Sequence, residues 1–201
     1  VIGLGIDHLS LYQLTSEAGT RFGELHARGI LRGLPQPALA GGMYEATQAI
    51  CTSAGLPAYE ISNHARPGNE SRHNLVYWRY GDYAGIGPGA HGRLSLGSGR
   101  FATETLRQPE EWLAAAEAGC GESGRTILTD EDQATEMLMM GLRLAEGVAG
   151  ERFAALAGRP LPRDAVAELA GLGLVTAADG RLRATDAGRL VLEAVLRRLL
   201  A

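Results

Sequence analysis

The opening third of this chain sets a strict order on what it can fold into. HLSLYQL (8–14) alternates along a strand, with Leu9, Leu11 and Gln13 facing one way and Ser10, Tyr12 and Leu14 the other. A turn-rich connector follows. Next comes PALAGGMYEATQAICTSAG (37–55), a helical pattern opened by Pro37 and stopped by Gly55. LPAYEISN (56–63) is then a second strand. Strand, connector, helix, strand predicts a parallel βαβ unit, and with it an α/β chain, α+β overall.

Downstream, the pattern predicts a short helix over 70–78 and a β-hairpin over 93–103 turned at Gly97-Ser98-Gly99. A helix follows over 108–119. A Gly-rich break, GCGESG (119–124), then marks a change of character, and a boundary is placed there: 1–121 and 122–201. Thr129 and Asp132 look like the N-cap and N3 of the next helix. Two short helical patterns lead to strand, Asp179-Gly180 turn, strand (174–185), and one closing helix, DAGRLVLEAVLRRLLA. Helices around a small hairpin predict a helical, winged-helix-like module.

Composition narrows the chemistry. The 201 residues carry a net charge of −4, and all 19 basic residues are arginine. Without lysine there is no Schiff-base amine and no P-loop lysine. Residues 122–201 hold 10 Arg against 12 Asp plus Glu, so no basic stripe favours nucleic acid. Cys51 and Cys120 lie far apart with no Cys-x-x-Cys pair, which fits a reducing, cytoplasmic compartment. No run of about 18 apolar residues predicts a transmembrane segment, and no charged n-region predicts a signal peptide. The chain opens without methionine on a strand-like run, so earlier sequence is expected before Val1.

RHNLVYWRYGDYAGIGPGAHG (72–92) concentrates the candidate site. The chain has 11 aromatic residues, and Tyr77, Trp78, Tyr80 and Tyr83 fall here beside His73 and His91. On a helix, His73 and Tyr77 are i and i+4 neighbours, as are Asn74 and Trp78. An imidazole among aromatics can ligate iron beneath a flat macrocycle. It can equally belong to a packed aromatic helix with His73 satisfied by hydrogen bonds. Gly85-x-Gly87-x-x-Ala90 matches a dinucleotide fingerprint only loosely, because Pro88 interrupts it and no helix follows. Its open backbone allows close approach of a ligand or of a neighbouring element. His91 either lines a site or caps a hairpin. Glu60, in mid-strand, needs a partner if buried, and Arg66 or Arg72 is expected to supply it.

HLSLYQLTSEAGT, YEISNHARPGNESRHNLVYW and YAGIGPGAHG together resemble the HemW family of radical S-adenosylmethionine proteins, which are related to oxygen-independent coproporphyrinogen III oxidase, HemN. The tail, GLVTAADGRLRATDAGRLVLEAVLRRLL, is similar to the C-terminal domain shared with HemN. The resemblance implies the C-terminal part of an incomplete radical-SAM (β/α) TIM-like barrel (1–121) followed by a small helical, winged-helix-like domain (122–201). It implies a fragment, since the family's Cys-x-x-x-Cys-x-x-Cys motif for a [4Fe–4S] cluster is missing and only Cys51 and Cys120 are present. Cluster and S-adenosylmethionine are therefore expected in a full-length parent and not in this chain. His73, Asn74, Tyr77 and Trp78 match the family's His-Asn-x-x-Tyr-Trp motif. This implies a heme chaperone that binds heme, with His73 as candidate iron ligand, and passes it to acceptors such as respiratory cytochromes. Thr15, Gly87, Gly89 and His91 are implied to lie near the S-adenosylmethionine site. Delivery implies a cytoplasmic protein, peripheral to the membrane when handing heme on. The alternative is oxidase chemistry, the radical decarboxylation of coproporphyrinogen propionates.

Overall fold

The computed structural model describes residues 2–13 and 18–201. Contacts divide it into two units, Val1–Glu70 and Ser71–Ala201.

The first unit holds β1 (His8–Ser10), α1 (Arg21–Ala27), α2 (Pro37–Ser53), β2 (Ala58–Glu60) and β3 (Asn63–Ala65). Pro37 sits in the first turn of α2, as its sequence predicts. The expected parallel pairing of the two strand-like runs is not what forms. The second run splits at Ile61 and Ser62, where the chain reverses, and the sheet order is β1-β3-β2 with both pairings antiparallel. β1 and β2 thus run the same way, but β3 lies between them.

Glu60 explains the reversal. Its fully buried carboxylate accepts from the Ser62 N–H at 2.9 Å and from Asn63 Nδ2 at 2.8 Å. These bonds tie the turn and answer the cost of burying a charge. Arg66, one of its two expected partners beside Arg72, forms an ion pair with Asp7 at 3.0 Å. The core of this unit includes Cys51, Leu56 and Ala65, with His64 buried beside them.

The second unit begins with α3 (Arg72–Trp78). β4 (His91–Leu96) and β5 (Gly99–Thr105) form a hairpin, and α4 (Pro109–Glu117) leads to β6 (Glu122–Ile127). The order β4-β5-β6 is antiparallel throughout. β6 is an exposed, polar edge strand. It carries no apolar alternation, so its pairing with β5 is invisible in sequence.

Then follow α5 (Asp130–Gly141), β7 (Val148–Ala149), α6 (Gly150–Ala157), α7 (Arg163–Gly171), β8 (Val175–Ala178), β9 (Arg181–Ala184), α8 (Asp186–Leu190) and α9 (Leu192–Leu200). α5 starts with the expected capping box, in which the Thr129 side chain accepts from the Asp132 N–H and Asp132 returns to the Thr129 N–H. β8 and β9 meet across Asp179-Gly180, both at positive φ (53° and 71°), as a two-residue primed turn requires. β7 adds a third strand, in the order β7-β9-β8.

The closing helix is two helices broken at Val191, with φ −124° and ψ 30°. Gly188 lies so tightly on the Leu174 carbonyl that a Cβ would overlap it. The break lets Gly188 stay there while Leu192, Val195 and Leu199 turn inward. They join Leu138, Leu142, Phe153, Leu169, Val175 and Leu182 in the core, each worth roughly 1.5–3 kcal/mol of burial. Among the described residues no helix is long and apolar enough to cross a membrane.

Candidate functional site

α3 is short and held at both ends. Ser71 Oγ caps it by accepting from the Asn74 N–H at 3.3 Å. At its far end Tyr80 turns the chain at φ 55°, a costly conformation for a tyrosine, and is fixed there by its side chain. The Arg100 guanidinium lies 4.0 Å from the Tyr80 ring centroid, and the Tyr80 hydroxyl donates to Glu136 at 3.0 Å. Burial, with the nearby Glu136 carboxylate, holds the Tyr80 phenol far above its ordinary range.

His73 and Tyr77 meet as predicted, whereas Trp78, one i, i+4 step from Asn74, lies in different surroundings. His73 and Tyr77 share the exposed side, with the Tyr77 hydroxyl 2.5 Å from His73 Nε2 and the rings edge-to-face at 4.7 Å. Tyr83 continues the row, its ring edge-to-face with Tyr77 at 4.5 Å. Trp78 lies elsewhere. It borders a cavity of about 140 Å³ with Met137, Gly141, Leu144 and Val148, and the Arg143 guanidinium sits 4.6 Å from its ring. Among the described residues its buried Nε1–H has no hydrogen-bond partner. Of the four motif residues, the structure therefore groups His73 and Tyr77 with Tyr83, and commits Trp78 to packing against the α5 region.

The Gly-rich loop is explained by its neighbour. A Cβ on Gly85 would stand 2.6 Å from the His91 carbonyl group, and one on Gly92 would meet Thr103 Oγ1 and the Gly85 nitrogen. The hairpin is thus the element that approaches closely. Gly87 and Gly89 take positive φ (107° and 68°). Thr105 Oγ1 stitches this bend, donating to the Gly87 carbonyl at 2.5 Å and accepting from the Ala90 N–H at 2.8 Å. His91 opens β4 opposite Glu104, its Nδ1 3.7 Å from the carboxylate, and is exposed. Thr15 lies outside the described residues.

One group at the site carries no mark in the sequence. Glu136 on α5 takes Arg93 in a bidentate grip and also receives the Tyr80 hydroxyl. In TDEDQATEML it looks like one more surface acid, and nothing in its spacing marks it. Tyr83 was visible as part of the aromatic run, but its place beside Tyr77 needed the loop geometry. The first unit contributes a separate concavity of about 890 Å³, bordered by Tyr12, Phe22, His26, Tyr44 and His64. Among the described residues, no sequence-predicted site residue lines it.

The donor set does not suit an iron–sulfur cubane. Such a cluster takes clustered thiolates, whereas Cys51 is buried in the first unit and Cys120 is exposed in the second. Among the described residues no group of three or more His, Cys, Asp or Glu side chains could hold a metal.

The chain is a mixed α/β fold that resembles, by comparison with a solved structure, part of a radical-SAM (β/α) barrel followed by a helical region. A solved structure with the same fold is coproporphyrinogen III oxidase (HemN) from Escherichia coli, a radical SAM enzyme. It superposes with a TM-score of 0.68 at 19% identity, over 98% of this chain and 49% of that one. The profile of the HemN C-terminal domain matches residues 128–191. Heme chaperone HemW of Escherichia coli (strain K12) is 34% identical over the whole chain and 51% of its own length. Radical S-adenosyl methionine domain-containing protein 1, mitochondrial, of Bos taurus is 40% identical over 73% of this chain and 34% of its own length. The chain belongs to the HemN/HemW-like radical-SAM family. It spans about half the length of the HemW relatives of Escherichia coli and Bacillus subtilis, and less of the mitochondrial ones.

Proposed function

We propose that this chain is part of a heme chaperone of the HemW type, which binds heme at the α3 surface and passes it to acceptor proteins such as respiratory cytochromes. The observation that carries the reading is the exposed His73 imidazole, presented at the head of a Tyr77–Tyr83 row. Imidazole ligates iron through either ring nitrogen; taking Nε2 displaces the Tyr77 hydroxyl. The tyrosine rings offer apolar edges to a macrocycle. Trp78 and Asn74 act by holding the helix, on this reading.

Relatives named heme chaperone HemW align over nearly the whole chain, which supports the same reading. In a full-length parent, [4Fe–4S] cluster and S-adenosylmethionine belong to the remaining sequence, with Gly87, Gly89, His91 and Thr15 in the vicinity of the latter. The division at 121/122, a cytoplasmic location and peripheral membrane contact during delivery are parts of the same proposal. The test is a heme titration followed at the Soret band on the chain and on His73→Ala. A shifted band and weakened binding in His73→Ala are expected. Identical titrations remove His73 as ligand. Anaerobic conversion of coproporphyrinogen by a full-length homologue carrying this motif would favour the oxidase reading instead.

A further inference from the structure

We propose that Glu136, on α5, is a positioning residue for the His73–Tyr77 surface, acting through Arg93 and Tyr83. The proposal rests on the heme reading for its purpose, and on geometry alone for its existence.

The Glu136 carboxylate accepts from Arg93 Nε at 3.1 and 3.0 Å, one bond to each oxygen, and from Arg93 Nη2 at 2.7 Å. Both side chains are about four-fifths buried, so this is a desolvated, charge-assisted fork rather than a surface pair. The Arg93 backbone in turn makes both hydrogen bonds of an isolated antiparallel bridge with Tyr83, each 2.8 Å. Tyr83 places its ring edge against Tyr77, and Tyr77 meets His73. The same carboxylate receives the Tyr80 hydroxyl, at the point where α3 ends. One side chain therefore fixes both ends of the short return, residues 80–83, that sets Tyr83 beside Tyr77.

The neighbouring acids Glu131 and Asp132 have no such reach. Glu131 pairs with Arg159 at 3.1 Å, both largely exposed, and Asp132 serves the helix cap. A carboxylate that only anchored α5 would need neither the Tyr80 hydroxyl nor an arginine bridged to the ring-bearing loop. Because Glu136 falls inside the stretch matched by the HemN C-terminal domain, the inference gives that domain a task at the site: holding the tyrosine row in register.

The experiment compares the 201-residue chain with Glu136→Gln, Arg93→Lys and, as a control on the same helix, Glu131→Gln. Gln keeps the shape and loses the charge; Lys keeps the charge and loses the fork. Aromatic NMR spectra of ring-labelled, heme-free protein at one pH form the first readout. Glu136→Gln and Arg93→Lys are expected to shift the His73 and Tyr77 ring resonances, while Glu131→Gln leaves them and every folded variant leaves those of His26. Heme titration is the second readout, with Kd raised about tenfold in Glu136→Gln, the size of effect that outer-shell partners exert on bound metals. Unmoved His73 and Tyr77 resonances in Glu136→Gln or in Arg93→Lys, whichever folds, overturn the proposal. Shifted resonances with no heme bound by any protein, wild type included, uphold the coupling and sink the heme reading. Altered heme binding in His73→Ala with Glu136→Gln indistinguishable from wild type does the reverse.

Discussion

Arg79 and Glu146 form a two-pronged ion pair, with Arg79 Nε 3.0 Å from Oε1 and Nη2 2.8 Å from Oε2. Arg79 is the residue that ends α3, and Glu146 precedes β7. Around them, Arg181 donates to the backbone carbonyls of Glu146 and Gly147 at 2.7 Å each, and Arg152 donates to those of Arg79 and Tyr80. Three arginines therefore hold the exit of the aromatic helix against the helical region.

This pair has a pH signature. The Arg79 hydrogen bond holds the Glu146 carboxyl below the usual carboxylate range, against the opposing effect of burial. A depressed folded value means the stabilisation is present above the unfolded value of about 4.3 and is lost as pH falls through the folded one. Both partners are substantially exposed, so solvent screening keeps the contribution near 0.5–1 kcal/mol. Glu146→Gln is expected to lower the urea midpoint at pH 7, with the gap to wild type narrower at pH 3. An equal gap at both pH values would count against the assignment.

The glycines of the loop make a paired test. Gly85→Ala pushes a methyl to 2.6 Å from backbone that cannot yield independently, and about 1–3 kcal/mol of destabilisation is expected. Gly97→Ala, in the β4–β5 turn with nothing within 4 Å of the added carbon, should stay within about 0.5 kcal/mol of wild type. Chemical denaturation of both decides it; equal costs would mean that the crowding at Gly85 is relieved by a small shift of the strand.

His64 gives the first unit its own pH dependence. It is buried with Nδ1 unpaired among the described residues, and burial lowers its pKa, opposed by a hydrogen bond to the Leu56 backbone and by Glu60. The unfolded chain therefore takes up a proton first, near pH 6.5. Stability contributed by the neutral ring is complete above that value and falls as pH drops through the folded value. Amide exchange of β3 corrected for intrinsic rates should show weaker protection at pH 5.5 than at pH 7.5, and His64→Phe should flatten the difference. Protection independent of pH in the wild type would contradict it.

What the sequence made legible was local. Pro37 and Thr129 mark helix starts, Asp179-Gly180 marks a turn, and i, i+4 spacing joins His73 to Tyr77. Each depends on neighbours within a few residues. What stayed hidden was decided by distant partners. β6 exists because β5 offers it an edge, and the sheet order around β3 depends on a buried carboxylate bending its own chain at Ser62. The same limit applied at the site. The family motif grouped Trp78 with His73, yet only the packing of α5 shows that it turns away. Glu136, which grips Arg93, carries no mark in its own surroundings.

That split in the motif yields the last prediction. Trp78 packs beside Met137, Leu144 and Val148 under Arg143, whereas the His73 side chain is exposed and touches Tyr77. Trp78→Ala should cost about 2–3 kcal/mol, at or below the low end for large aromatics because the indole is only partly buried. His73→Ala should cost less than about 0.5 kcal/mol, as for surface changes. Trp78→Phe is the discriminating variant. It keeps most of the ring and removes a buried N–H that has no partner, a group whose desolvation costs about 1–3 kcal/mol. It should therefore remain within about 1 kcal/mol of wild type, because lost packing and the relieved donor offset each other. With heme held at the proposed His73 surface, Trp78→Phe also keeps the affinity of wild type, while His73→Ala loses it with the fold intact. A stable Trp78→Phe protein that no longer binds heme would place the indole N–H in contact with the ligand, and would return Trp78 to the same surface as His73.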